Sequence, residues 1–168
     1  MAITYEQALQ IIAKDKTWGG TRPMAWPATQ SRAKNNWPKP HQMRNSLLSD
    51  EASIEGCFVD CYYKRSPNAG IPDKVSFSLV SHDQRILGID DGPPSIHRNK
   101  VGVGLPFYGK AVGHPHLHAP THDAVNGYAT PIDRATIAEL WTRFLAESNI
   151  SLAPDFESPE STQTELPL

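Results

Sequence analysis

Two periodicities alternate along this chain and divide it into a run of strands between two helices. Near the N-terminus Ala8, Ile11 and Ile12 form a short apolar stripe at helical spacing. Thr4 is placed to cap it, and Gln7 stands three residues later as the other half of a capping box. The spacing predicts a helix that ends near Trp18, at Gly19-Gly20. From about residue 52 the period falls to two. Ile54, Gly56, Phe58, Asp60 and Tyr62 alternate with Glu55, Cys57, Val59, Cys61 and Tyr63, the pattern of a strand buried on at least one face.

Ser66-Pro67-Asn68-Ala69-Gly70 is a turn cluster, and Val75 to Val80 alternate again, so the two runs predict a hairpin. Arg85 to Asp90 make a third strand, stopped by Asp91-Gly92-Pro93-Pro94. The segment Gly113 to His118 and the run Gly127-Tyr128-Ala129-Thr130 supply one or two more. A last helix is expected from Asp133 to Ser148, because Ile137, Leu140, Trp141, Phe144 and Leu145 fall on one stripe. The sum is an α+β fold, a curved, mostly antiparallel sheet of four to five strands with an N-terminal and a C-terminal helix.

Between the first helix and the strands, residues 19–45 keep no period. Thr21-Arg22-Pro23, Trp26-Pro27, Asn35-Asn36-Trp37-Pro38 and Lys39-Pro40 predict a long irregular loop, a type of segment that is usually functional or mobile. One α+β domain over residues 1–152 and an acidic, disordered tail over 153–168 complete the expected organisation.

Charge distribution adds to this picture where net charge does not. The formal total is only −2. Yet residues 14–44 hold Lys14, Lys16, Arg22, Arg32, Lys34, Lys39 and Arg44 against the single acid Asp15, while 147–168 hold only acids. Trp26, Trp37, Arg32 and Lys34 are therefore candidates for binding nucleic acid, by phosphate contact and base stacking. The plain alternative is a solvated loop whose tryptophans cover the edge of the core. No apolar run approaches membrane-spanning length and no signal peptide precedes the first helix, so a cytoplasmic protein without a membrane partner is expected. Cys57 and Cys61, about 13 Å apart along an extended strand, are too distant for a disulfide and are expected to be core or sheet-surface thiols.

The chemistry concentrates in histidine. His114, His116, His118 and His122 lie within nine residues. If 114–118 is extended, His114, His116 and His118 share a face, with neighbours about 6.5–7 Å apart. Pro115 donates nothing to a ladder, which puts the row at an edge or a strand start. His97, Arg98 and Asn99 follow a Gly-Pro-Pro turn and sit on a loop that can reach the row. Histidines with an arginine suit RNA cleavage without a metal or other cofactor. One imidazole takes a hydroxyl proton, another protonates the leaving oxygen, and Arg98 holds the phosphate charge. The proposed catalytic set is thus His97, Arg98, His116 and His118, with Asn99 and His114 as binding residues.

The motifs Arg85 to Asp90, His97-Arg98-Asn99 and Gly113-His114-Pro115-His116-Leu117-His118, with the closing helix, resemble a group of small bacterial and phage proteins that includes the TumE-like toxins. The resemblance spans residues 52–150. It implies a toxin-antitoxin or mobile-element protein acting on RNA, with His97, Asn99, His116 and His118 as the positions carried over and a cognate antitoxin as partner. The N-terminal 50 residues and the acidic tail have no counterpart in that pattern. Two other readings remain open. One is a phage-type inhibitor or regulatory protein that binds a host complex. The other is a metal-binding β-domain in which His114, His116 or His118 joins His97 or Asp90 as ligands.

Overall fold

The computed structural model describes residues 2–27 and 38–160; Arg32, Lys34, Trp37 and the segment 161–168 lie outside the described residues. The first helix, α1 (Tyr5–Ala13), is held by the expected capping box between Thr4 and Gln7. It ends five residues before Trp18 for a physical reason. Lys16 is buried, and its ammonium donates to the carbonyls of Ile11, Ile12 and Lys14 at 2.6, 3.0 and 2.5 Å, satisfying the open end of the helix. Burial lowers the Lys16 pKa to about 8, with the charges of Cys57 and Asp15 opposing the shift. The residues expected to continue the helix instead form β1 (Lys16–Trp18).

The chain then builds β2 (His41–Ser49), β3 (Ala52–Lys64), β4 (Lys74–Ser81) and β5 (Gln84–Asp91), an antiparallel meander that includes the predicted hairpin. Shorter pieces follow: β6 (His97–Arg98), β7 (Ala111–Val112), β8 (His116–His118) and β9 (Ala129–Pro131). After α2 (Ile137–Glu147) comes β10 (Ile150–Ser151). Eight strands form one sheet in the order β10-β1-β2-β3-β4-β5-β8-β9, and β6 and β7 pair separately. Only β1 and β10 run parallel. The protein is α+β with a large, mostly antiparallel sheet, and it has more strands than the four to five expected. All the added strands but β2 are two or three residues long, too short to show a period. In β2, which begins inside the expected loop, only Met43 and Leu47 are buried apolar residues.

One face of the sheet carries the core. Val59, Cys61 and Tyr63 of β3 meet Val75, Phe77 and Leu79 of β4 and Leu87 and Ile89 of β5, and α2 lays Leu140, Trp141 and Phe144 on them. Burying Leu140 and Phe144 completely contributes about 1.5–3 kcal/mol each. Trp141 meets Phe77 and Trp18 edge-on, at ring separations of 5.0 and 5.9 Å. Thr136, not Asp133, caps α2, and its capping box with Glu139 moves the helix start to Ile137.

The segment 153–160, expected to begin a disordered tail, lies against this same core. Pro154 accepts from the Trp141 indole at 2.9 Å, Glu157 accepts from Trp26 at 2.8 Å, and Phe156 packs on Phe77, Tyr63 and Trp26. Composition pointed the other way because these few anchors are spaced among acidic and proline residues. No helix among the described residues is long and apolar enough to cross a membrane.

Candidate active site

The other face of the sheet is polar, and its centre is Asp90. β5 presents this carboxylate outward, since Ile89 and Asp91 beside it turn the other way. Simple alternation would put Arg85, an odd number of residues away, on the core face. A β-bulge between Leu79 and Val80 of β4 shifts the register of β5 and brings Arg85 onto the face of Asp90. Gly88 then leaves the space that Arg85 crosses, because a Cβ at residue 88 would collide with the guanidinium. Arg85 reaches both carboxylate oxygens, with Nη2 on Oδ1 at 2.7 Å and Nη1 on Oδ2 at 3.0 Å. Ser76 of β4 adds its hydroxyl to Oδ1 at 2.6 Å.

Strand β8 pairs with β5 so that His116 stands opposite Asp90 and His118 opposite Gly88. Both imidazoles lean toward Asp90 Oδ2, His118 Nε2 at 3.1 Å and His116 Nε2 at 3.5 Å. His97 arrives from the separate β6–β7 pair. Asn99 clamps that pair to β9: its amide nitrogen donates to the carbonyls of Ala129 and Phe107, and its oxygen accepts from the Ala129 amide. Because β9 pairs with β8, the clamp sets the His97 ring 4.7 Å from His118 and 6.1 Å from His116. His97 Nε2 meets the Gly127 carbonyl at 2.7 Å.

Those carbonyls fix the proton positions, because a carbonyl oxygen only accepts. His97 carries its hydrogen on Nε2, which leaves Nδ1 as the basic atom of the neutral ring. His116 donates from Nδ1 to the Gly113 carbonyl at 3.0 Å, and its Nε2 faces Asp90. Burial alone would raise the Asp90 carboxyl. The hydrogen bonds from His116, His118 and Arg85, with the Arg85 charge, hold it well below the usual carboxylate range. Burial pulls His118 down toward the neutral ring, against its hydrogen bond to Asp90, and the Arg85 charge adds to the shift. The Nδ1 atom of His118 is buried with no hydrogen-bond partner among the described residues.

A cleft of about 610 Å³ opens over this cluster. Asp90, His97 and His116 form one end, Lys74, Tyr62 and Ser78 line its course, and Gln42 and Asp60 close the far side. His97, His116 and His118 thus come together, as sequence spacing suggested. Three expectations for this site need correction. Arg98 follows His97 in β6 and points away, its guanidinium on the Gly109 carbonyl at 3.0 Å; the arginine of the site is Arg85. His114 lies before β8 and bonds Asp91 at 2.9 Å, on the other side of β5 from Asp90. Asn99 is buried and holds backbone, so it positions the site and does not line the cleft.

Trp26 is tied to Glu157 and packed on Tyr63, which makes it a support for the docked segment and no stacking platform. Arg85, Ser76 and Lys74 were missed as site residues. For Arg85 the only signal was its place at the head of the Arg85-to-Asp90 motif, since the bulge that turns it outward leaves no mark on local periodicity. Comparison with protein-family models, curated proteins and solved structures finds no match to this chain.

Proposed function

We propose that the protein is an enzyme that cleaves phosphate esters in the open-face cleft, with RNA as the expected polymer and a toxin-type role in the cell. The observation that carries this reading is the arrival of His97, from a separate pair of strands, beside His116 and His118 at the mouth of the cleft. Its Nδ1 suits the removal of a proton from an attacking hydroxyl. Lys74 takes the anion-holding role first expected of Arg98, and the Tyr62 ring beside it offers a face to a base. The hydroxyl oxygen, a ribose 2′-oxygen in RNA, attacks phosphorus as His97 accepts its proton. The bond to the 5′-oxygen breaks, and that oxygen takes up a proton from solvent. The Lys74 ammonium offsets the negative charge of the phosphate while the oxygen leaves. The meeting of the Arg85-to-Asp90, His97 and His116/His118 motif residues agrees with the toxin resemblance.

Cleavage of single-stranded RNA and of a simple phosphodiester tests the proposal. His97→Ala is expected to lower the rate by about 10²–10⁴-fold, Lys74→Ala to raise KM, and His41→Ala and His82→Ala to change neither. Folded protein that leaves both substrates intact under all divalent-ion conditions sinks the reading. A second reading, a binding protein aimed at a host complex, draws on the exposed apolar side chains of Ile96, Val103, Leu105 and Tyr108 around the β6–β7 pair. It is preferred if His97→Ala keeps the full effect of the protein on a host cell.

A further inference from the structure

We infer that Asp90, His116 and His118 form a binding site for one divalent transition-metal ion, of the kind zinc represents, with its free coordination positions turned to the cleft. One donor atom from each residue lies within 4.8 Å of the other two. Two of those separations, 3.1 and 3.5 Å at Asp90 Oδ2, match the edge of a coordination polyhedron whose bonds are about 2.0–2.2 Å long.

The hydrogen-bond network makes the case sharper than proximity does. With its hydrogen on Nδ1, a neutral His116 directs a lone pair at a carboxylate oxygen that is itself electron-rich. A metal ion lets both rings bind as neutral ligands through the Nε2 atoms that face Asp90.

The surroundings are those of a metal site. Gly113 orients the His116 ring through its second nitrogen, Ser76 and Arg85 Nη2 hold Oδ1, and Arg85 Nη1 bonds the Oδ2 that the rings also approach. Two imidazoles and one carboxylate favour zinc, iron, nickel or copper over magnesium or calcium. Three protein ligands leave the set open, as in catalytic sites. His116 and Asp90 both line the cleft, so the open side is accessible to a substrate. Ion binding does not depend on the substrate being a phosphate ester. Where both hold, the ion is the positive charge that stabilises the leaving oxygen.

The test is titration of metal-free full-length protein with Zn²⁺ and with Co²⁺, the latter read by its visible absorption, followed by X-ray absorption on the zinc form. The expected result is one ion per chain with two imidazoles and an oxygen ligand at about 2.0–2.1 Å. His116→Gln and His118→Gln should each weaken binding by 100-fold or more, with circular dichroism confirming the fold, and His114→Gln should leave it unchanged. Wild-type protein that takes up no ion at millimolar metal overturns the inference. So does a sulfur-ligated ion, which would place it at Cys57 or Cys61, and so does binding unaffected by both histidine variants. Ion binding as expected without phosphate-ester cleavage removes only the substrate reading. Cleavage that persists in chelator with no uptake removes only the ion.

Discussion

The two faces of the same central strands show how one alternating sequence makes both a core and a site. Along β4, Val75, Phe77 and Leu79 turn inward and are fully buried, while Lys74, Ser76 and Ser78 between them line the cleft. The inner face is held by many unspecific apolar contacts, and its rings pack on Trp141, Phe144 and Phe156. The outer face is held by a few directed bonds that converge on one carboxylate. Substitutions should therefore separate the faces: inner ones change stability, whereas outer ones change chemistry more than stability.

The largest expected effect is on the inner face. Trp141 is 1% exposed and its indole also bonds Pro154, so Trp141→Ala should lower unfolding free energy by about 3–5 kcal/mol. Denaturant titration measures this. A loss under about 1 kcal/mol would mean that the inner face is not the main source of stability. Phe156→Ala follows, at about 2–3 kcal/mol, because this half-buried ring packs on Phe77 and Tyr63. A neutral result would return residues 153–160 to the expected disordered tail.

Gly88→Ala tests the outer face. The new methyl must displace the Arg85 guanidinium, at a cost of about 1–2 kcal/mol. Asp90 loses an anchoring partner, so zinc affinity and cleavage rate should fall much further than stability does. Equal affinity and rate in Gly88→Ala and wild type would show that Arg85 does not position Asp90.

The difference between the faces also explains what could be read from the sequence. Period-two runs and the helical stripe exposed the inner face: the alternation of β3 and β4 resolves to one buried set, and on the α2 stripe Leu140, Trp141 and Phe144 are buried while Ile137 and Leu145 are half-buried. The histidine cluster was legible because His116 and His118 alternate on one short strand. The rest of the site depends on events that leave no local period. A bulge turns Arg85 outward, Asn99 clamps one strand pair to another 30 residues away, and Lys16 ends a helix through its side chain. Nearness in sequence points to Arg98, and the antiparallel pairing of β5 with β8 makes the more distant Arg85 the near residue.

Adjacent tyrosines on β3 give the finest comparison, since Tyr62 lines the cleft and Tyr63 faces the core. Burial raises both phenols, and raises Tyr63 to about 12, reinforced by the Asp73 carboxylate that accepts its hydrogen bond at 2.7 Å and opposed by a bond to Ser158. The folded state therefore holds the Tyr63 proton where the unfolded chain, with a pKa of 10.0, releases it. Its contribution to stability is complete below pH 10 and disappears as pH rises toward 12. At neutral pH, Tyr63→Phe should cost about 1 kcal/mol through the lost hydrogen bond to Asp73, and Tyr62→Phe should cost less. Between pH 10 and 12 the wild type should lose stability more steeply than Tyr63→Phe, so that the two denaturation midpoints converge. Parallel curves across that range would show that the Tyr63 proton is not held by the fold, and the two faces would then not differ at this position.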